Sequence, residues 1–132
     1  MKKYNVIFLL SPGGDELLMC RRGKEPYMGL LNLVGGKIEP GEDHLAAAYR
    51  ELAEETGIGA GDVALRHIMD FTYYQPDCLL EVYAGRLARE VAVRGDENEL
   101  LWVSADENFF DANRFAGEGN IGHIAACTMW RM

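Results

Sequence analysis

The chain has 132 residues, 48% of them hydrophobic and 26% charged. These values are typical of one globular domain, residues 1–132, with a substantial core. No run of about 18 apolar residues is present, which excludes a membrane-spanning helix. The net charge of −8 argues against binding a nucleic-acid polymer, which requires a basic surface. A small phosphorylated ligand is still compatible with this charge, because a bound metal can invert the local sign.

The start of the chain, MKKYNVIFLL, resembles a signal peptide only loosely, because the apolar run is short and no Ala-x-Ala-like site follows. We interpret it as a first strand. Three scattered cysteines, Cys20, Cys78 and Cys127, favour reduced thiols over a disulfide framework or a zinc site. We therefore expect a cytoplasmic protein.

Strands are predicted before and after a central helix. Apolar, β-rich segments bounded by turn residues predict strands at residues 4–10, 17–22, 32–34, 63–75, 78–87 and 100–103. The fourth and fifth form a hairpin around Gln75-Pro76-Asp77, and helices are predicted at residues 43–56 and 121–130. This order predicts an α/β fold in which a mixed β-sheet lies between helices.

The central helix carries the clearest local signals. Leu45, Ala48 and Leu52 form an apolar stripe at helical spacing, and Gly57 lies where a helix C-terminus favours glycine. Glu42, directly before the helix, is expected either to cap it or to reach the preceding loop.

Three carboxylates, Glu51, Glu54 and Glu55, lie at positions i, i+3 and i+4 of this helix and share one face. They repel one another by roughly a few tenths of a kcal/mol per pair, and a divalent cation would reverse that sign. Dense oxygen ligands suit Mg²⁺ or Mn²⁺. Arg50, four residues before Glu54, is expected to orient a ligating carboxylate. An acidic helix face is more often a solvated surface, so this spacing alone leaves that alternative open.

The longer pattern is far more specific. From Gly35 the sequence reads GGKIEPGEDHLAAAYRELAEETGI, and residues 36–58 match the Nudix box at every specified position. Gly36 is followed after five residues by Glu42, and after seven more by REL-x-EE-x-GI. A chain of this length would match by chance on the order of once in ten million. The sequence thus resembles the Nudix hydrolases, and in particular the MutT type.

The resemblance implies an α/β/α sandwich that hydrolyses a nucleoside diphosphate linkage with Mg²⁺ or Mn²⁺. By position it implies metal ligation at Gly36, Glu51, Glu54 and Glu55, and catalytic roles for Arg50, Glu51 and Glu54. Substrate contacts are expected in the loop before the helix. They involve Gly35, Gly36 and Lys37.

Relatives often add a carboxylate from a downstream loop. Glu97 and Glu99, just before the last predicted strand, are the candidates for further metal ligands, and Glu97 is also a candidate catalytic base. In the MutT-type pattern the equivalent glutamate directly precedes a tryptophan, whereas Leu101 precedes Trp102 here. The identity of the base therefore stays open, and loop solubility explains both glutamates equally well.

Two asparagines bear on the substrate. Asn32 precedes the glycine pair and Asn120 opens the last predicted helix, and the resemblance implies that both contact a purine base. An amide offers both a donor and acceptors to a purine edge. The alternatives are a strand-end role for Asn32 and an N-cap role for Asn120. Five aromatic residues are candidates for stacking on the base, with a place in the core as the alternative: Phe71, Tyr73, Phe109, Phe110 and Phe115.

The leading hypothesis is hydrolysis of a nucleoside triphosphate, including an oxidised or noncanonical purine, to monophosphate and pyrophosphate. One alternative is cleavage of ADP-ribose, a nucleotide sugar or a dinucleoside polyphosphate. Another is a non-catalytic nucleotide sensor, which the complete set of box carboxylates disfavours. We expect a small nucleotide as partner, no membrane association, and a monomer or homodimer. The three histidines are expected to be structural or exposed.

Overall fold

A computed structural model describes residues 1–74, 77–95 and 97–129. The strands are β1 (Lys2–Leu10), β2 (Glu16–Arg21), β3 (Leu31–Lys37), β4 (Arg66–Tyr74), β5 (Asp77–Arg86) and β6 (Glu99–Ser104). The helices are α1 (His44–Thr56) and α2 (Asn120–Thr128). The predicted turn residues Gln75 and Pro76, and the predicted helix end at Trp130, lie outside the described residues.

The six described strands form one mixed sheet in the order β4-β5-β1-β3-β2-β6. Strands β1 and β5 are parallel, whereas the other neighbouring strands pair antiparallel. The predicted hairpins are confirmed, since β4 pairs with β5 and Leu10 of β1 pairs with Leu17 of β2. The parallel pairing of β1 with β5 brings the central strand of the sheet next to a strand that lies about 75 residues later in the chain.

Both faces of the sheet are covered, which confirms the α/β/α sandwich. Along β1, Phe8 and Leu10 belong to one buried cluster together with Ile124 of α2. Ile7 and Leu9 belong to another, which contains Ala48 and Leu52 of α1. Successive side chains of a strand point to opposite faces, so a strand covered on both sides is apolar throughout.

Helix α1 begins and ends as its sequence predicts. Asp43 is the N-cap, and its carboxylate accepts a hydrogen bond of 2.9 Å from the Ala46 amide. Gly57 ends the helix with φ 81°, a left-handed conformation that favours glycine. The predicted stripe is wrong at Leu45, which is 42% exposed, while Ala47 is buried. Helical periodicity predicts which side of the helix a residue is on. It cannot predict that the first turn, with Leu45, extends beyond the cluster that buries Ala48 and Leu52.

Strand β3 is longer than predicted, because it continues through the glycine pair to Lys37. Asn5 of β1 pairs with Gly36, and Val6 with Gly35. At Gly35 (φ 152°) a Cβ would lie 2.2 Å from the Asn5 carbonyl oxygen, so glycine is required for this close approach of the strands. In the described part of the chain, no helix has the length and apolar character needed to cross a membrane.

Candidate active site on the carboxylate helix

Helix α1 presents its carboxylates at three depths. Glu51 is buried at 8% exposure, Glu55 is half-buried and Glu54 is exposed. Glu51 lies directly against Gly36 of β3, where a Cβ would come within 2.3 Å of its Oε2 atom. The missing side chain at position 36 therefore creates the space that the Glu51 carboxylate occupies.

Arg50 connects this carboxylate face to the loop before the helix. Its Nε and Nη2 atoms donate to Glu42 at 2.6 and 2.9 Å, and Nη2 also donates to the Lys37 carbonyl at 3.0 Å. Its Nη1 atom donates to Glu51 at 3.0 Å and to Glu54 at 3.2 Å. Of the two roles expected for Glu42, contact with the loop is the one observed, because its carboxylate also accepts from the Glu39 amide at 3.0 Å.

The pKa values of this network follow from its hydrogen bonds and its burial. The hydrogen bonds from Arg50, followed by the one from the Glu39 amide, lower the pKa of Glu42 to about 2. The same bonds to Glu42 raise the pKa of Arg50 above its ordinary value. Burial raises the pKa of Glu51, and the hydrogen bond from Arg50 opposes that shift. The three carboxylates that contact the Arg50 guanidinium outnumber its single positive charge, and the excess negative charge suits a divalent cation.

A cleft of about 470 Å³ lies on the α2 side of this region. Its wall includes Leu33, Leu80 and Ile124, and both predicted base-contacting residues, Asn32 and Asn120, line it. Ligand sites are typically concave and mostly apolar with a few polar groups, as this cleft is.

A smaller recess of about 230 Å³ continues from the cleft towards α1. Val6, Asn32, Leu33 and Leu80 line both spaces. The recess is also bordered by Gly35, Gly36, Glu55, Arg22 and Asn98. The apolar cleft and the glycine-bordered recess, which contains Glu55 and Arg22, therefore share a wall that includes Asn32.

Comparison with known proteins identifies the family. The family model described as NUDIX domain matches residues 1–121. The chain belongs to the Nudix family. A Mycobacterium tuberculosis relative named "Putative 8-oxo-dGTP diphosphatase 2" is 33% identical over 96 residues, covering 71% of this chain and 68% of the relative. The chain is thus a Nudix hydrolase of nucleotide substrates.

Solved structures share the Nudix fold at low sequence identity. A MutT structure from work on Aliivibrio salmonicida and Vibrio cholerae has a TM-score of 0.72 and 21% identity, covering 98% of both chains. A Caenorhabditis elegans Ap4A hydrolase has a TM-score of 0.75 and 18% identity, covering 98% of this chain and 99% of that one. These similarities support the fold.

Nudix enzymes generally use divalent cations, and the chemistry of the α1 face fits one. Within residues 1–74, 77–95 and 97–129, no three acidic, histidine or cysteine side chains converge closely enough to hold an ion. Glu51 and Glu54 instead both contact Arg50. The donors are nevertheless hard carboxylate oxygens on adjacent turns, and Mg²⁺ needs only one or two of them when substrate phosphates and water complete its shell.

The two downstream glutamates have different surroundings. Glu99 is the first residue of β6 rather than part of the preceding loop, and it forms a 3.0 Å ion pair with Arg21 on the adjacent strand. Glu97 lines a depression of about 220 Å³ together with Lys24, Arg22 and Asn98. Arg22 and Asn98 also border the recess that contains Glu55, so the depression beside Glu97 adjoins this recess.

The two asparagines differ in their local contacts. Gly119, with φ 95°, is the N-cap of α2, so the N-cap alternative for Asn120 is wrong. Asn120 is the first helical residue, and its Nδ2 atom donates to the Tyr73 hydroxyl in the wall of the cleft. The Oδ1 atom of Asn32 accepts from the Leu33 amide at 2.9 Å.

Of the five aromatic residues considered for stacking, Tyr73 is the one that lines the cleft. Phe109 and Phe115 are core residues at 4% and 1% exposure, and Phe71 packs against the same cluster. Phe110 is 58% exposed and lies elsewhere, beside Gly122.

Several residues of the site were not identified from the sequence. Asn5 is 1% exposed, and its Oδ1 atom accepts from the Gly36 amide at 3.1 Å. Among the described residues, its Nδ2 atom has no hydrogen-bond partner. The signal in the sequence that could have identified Asn5 is its polar side chain within the apolar run of β1. Tyr27 and Glu118, on two loops that border the cleft, have no comparable signal.

Proposed function

We propose that this Nudix hydrolase converts a purine nucleoside triphosphate, including an oxidised or noncanonical one, to monophosphate and pyrophosphate with Mg²⁺ or Mn²⁺. The observation that carries the proposal is the continuity of the cleft and the recess at Asn32. A base in the apolar compartment would place its phosphates towards Gly35, Gly36 and Glu55. The 33% identical relative named for 8-oxo-dGTP supports a triphosphate of this class.

In this proposal Glu51, Glu54, Glu55 and Gly36 hold the cation. When bound, the cation lowers the pKa of the attacking water and neutralises charge on the phosphates. Arg50 holds Glu51 and Glu54 in their positions through hydrogen bonds from its Nη1 atom. A carboxylate of α1, or Glu97 in the depression that adjoins the recess, accepts the proton from the water. Glu97 and Glu99 are further candidates for metal ligation.

In this proposal the nucleotide base binds in the cleft. Asn120 is held by Tyr73, so its amide is oriented before a base arrives. Asn32 lies between base and phosphates, and Gly35, Gly36 and Lys37 line the phosphate path. The three cysteines are free thiols, which supports action in a reducing compartment such as the cytoplasm.

A pyrophosphate- and phosphate-release screen over nucleotide classes with Mg²⁺ tests the proposal. We expect a purine triphosphate to be the preferred substrate, with loss of activity in Glu54→Gln and Glu55→Gln and near-normal activity in the distant control Glu107→Gln. Preferred cleavage of ADP-ribose or a dinucleoside polyphosphate would overturn the substrate assignment. Tight binding of a nucleotide without turnover of any class would overturn the enzymatic one.

A further inference from the structure

A buried carboxylate lies outside the Nudix box, on the sheet beneath α1. Glu81 of β5 is 6% exposed, although removing a carboxylate from water is costly unless it is paired and hydrogen-bonded. Its strand position is directly beside Asn5, in the parallel pairing of β5 with β1. The next pair along, Ile7 and Tyr83, belongs to the cluster that α1 covers, so Asn5 and Glu81 face α1 as well.

Two donors satisfy the Glu81 carboxylate. The Tyr83 hydroxyl donates to Oε1 at 2.8 Å, and His44 Nδ1 lies 2.6 Å from Oε2. Burial, and then the hydrogen bond to Glu81, raise the pKa of Tyr83, which keeps this hydroxyl protonated as a donor. For His44 to donate as well, its ring carries a proton on Nδ1.

His44 is the first residue of the helix that carries the metal-binding face. Glu51 follows it by seven residues, which is two helical turns, or about 10 Å along the same side of the helix. A fixed contact at His44 therefore sets both the rotation of α1 about its axis and the height of Glu51 above Gly36. Asn5, the neighbour of Glu81, fixes Gly36 itself through the Gly36 amide.

We propose that Glu81 and His44 are positioning residues of this hydrolase, which hold the carboxylate face of α1 in register over β3. This inference rests on the proposed metal-dependent function, and it adds residues that lie outside the Nudix box. Asn5 and Glu81, side by side on paired strands, thus set the two surfaces that meet at Glu51.

The decisive variants alter the contact between helix and sheet. His44→Ala removes it, and His44→Asn restores a donor at the place of Nδ1. We expect His44→Ala to lower both kcat and Mn²⁺ affinity about tenfold, with little change in the KM of the nucleotide, and His44→Asn to recover most of the loss. The matched control is His123→Ala, because His123 is an exposed residue of α2 whose ring contacts Phe71 on the face of the sheet opposite α1. It should leave both values unchanged.

If these residues only stabilised the fold, a well-folded variant without their polar groups would stay active. Replacing Glu81, His44 and Tyr83 together by Leu, Leu and Phe removes every polar partner, a change that is often neutral or stabilising when volumes match. We expect this triple variant to keep its melting temperature and still lose kcat and Mn²⁺ affinity. Full activity in the folded triple variant would overturn the proposal. Should it not fold, equal impairment of His44→Ala, His44→Asn and His123→Ala would overturn it instead.

Mn²⁺ affinity is measured without nucleotide, from the electron paramagnetic resonance signal of free Mn²⁺. An error in the substrate assignment can therefore be distinguished from an error in the positioning role of His44 and Glu81. A wild-type protein that binds Mn²⁺ but hydrolyses no nucleotide overturns the substrate assignment, whereas the comparison of His44→Ala with His44→Asn still decides the positioning role.

Discussion

Substituting Gly36 by alanine perturbs the site at its tightest contact. The added methyl would lie 2.3–2.6 Å from the three terminal atoms of Glu51, whereas ordinary contact begins at 3.4 Å. The carboxylate must therefore move by about 1 Å, and a misplacement of that size at a catalytic centre can cost about a hundredfold in rate. Because the displaced atoms are the end of a flexible side chain, the loss of stability should be only about 1 kcal/mol.

The assay compares kcat for pyrophosphate release at saturating Mg²⁺ with the thermal unfolding midpoint. Gly61→Ala is the matched control, because no atom lies within 4 Å of its new Cβ and its backbone has no positive φ. We expect Gly36→Ala to remain folded with kcat lowered about a hundredfold, and Gly61→Ala to resemble the wild type. A folded Gly36→Ala enzyme with wild-type kcat would refute the inference that the position of Glu51 depends on the space above Gly36.

Three further results are expected. Arg50→Lys should lower kcat by about 10–100-fold, because an ammonium cannot replace a planar guanidinium that bridges several carboxylates; a wild-type rate would contradict this. The pKa of Glu42 is about 2 in the fold against 4.5 as the ordinary value, so its pairing stabilises the fold fully above pH 4.5 and progressively less as the pH falls towards 2. The difference in melting temperature between wild type and Arg50→Gln should therefore shrink over that range, and a constant difference would argue against it. Asn120→Ala should raise KM for a purine triphosphate with kcat nearly unchanged, whereas an unchanged KM would remove Asn120 from the site.

Much of the architecture could be predicted because it depends on local signals. Asp43 and Gly57 delimit α1 through capping chemistry that is encoded within a few residues. The alternation of turn residues with β-rich segments predicted each strand. The errors arose where a neighbouring strand decides the outcome, as at Gly35 and Gly36, which extend β3 because β1 pairs with them.

The candidate site divides in the same way. Helical spacing placed Glu51, Glu54 and Glu55 on one face, but it could not predict that Glu51 is buried against Gly36 while Glu54 is exposed. Proximity in sequence to the last strand suggested Glu97 and Glu99. In the fold, β6 pairs with β2 and thereby directs Glu99 to Arg21.

The sequence by itself determined the family and the reaction class, because the Nudix box is a contiguous pattern within one loop and one helix. Only the tertiary structure decided which residues surround that helix. Asn5, Glu81 and His44 meet because β1 and β5 pair in parallel beneath α1, and the distance between them in sequence leaves no local trace. Contacts between distant segments depend on sheet order and register, which are set by the packing of the whole chain.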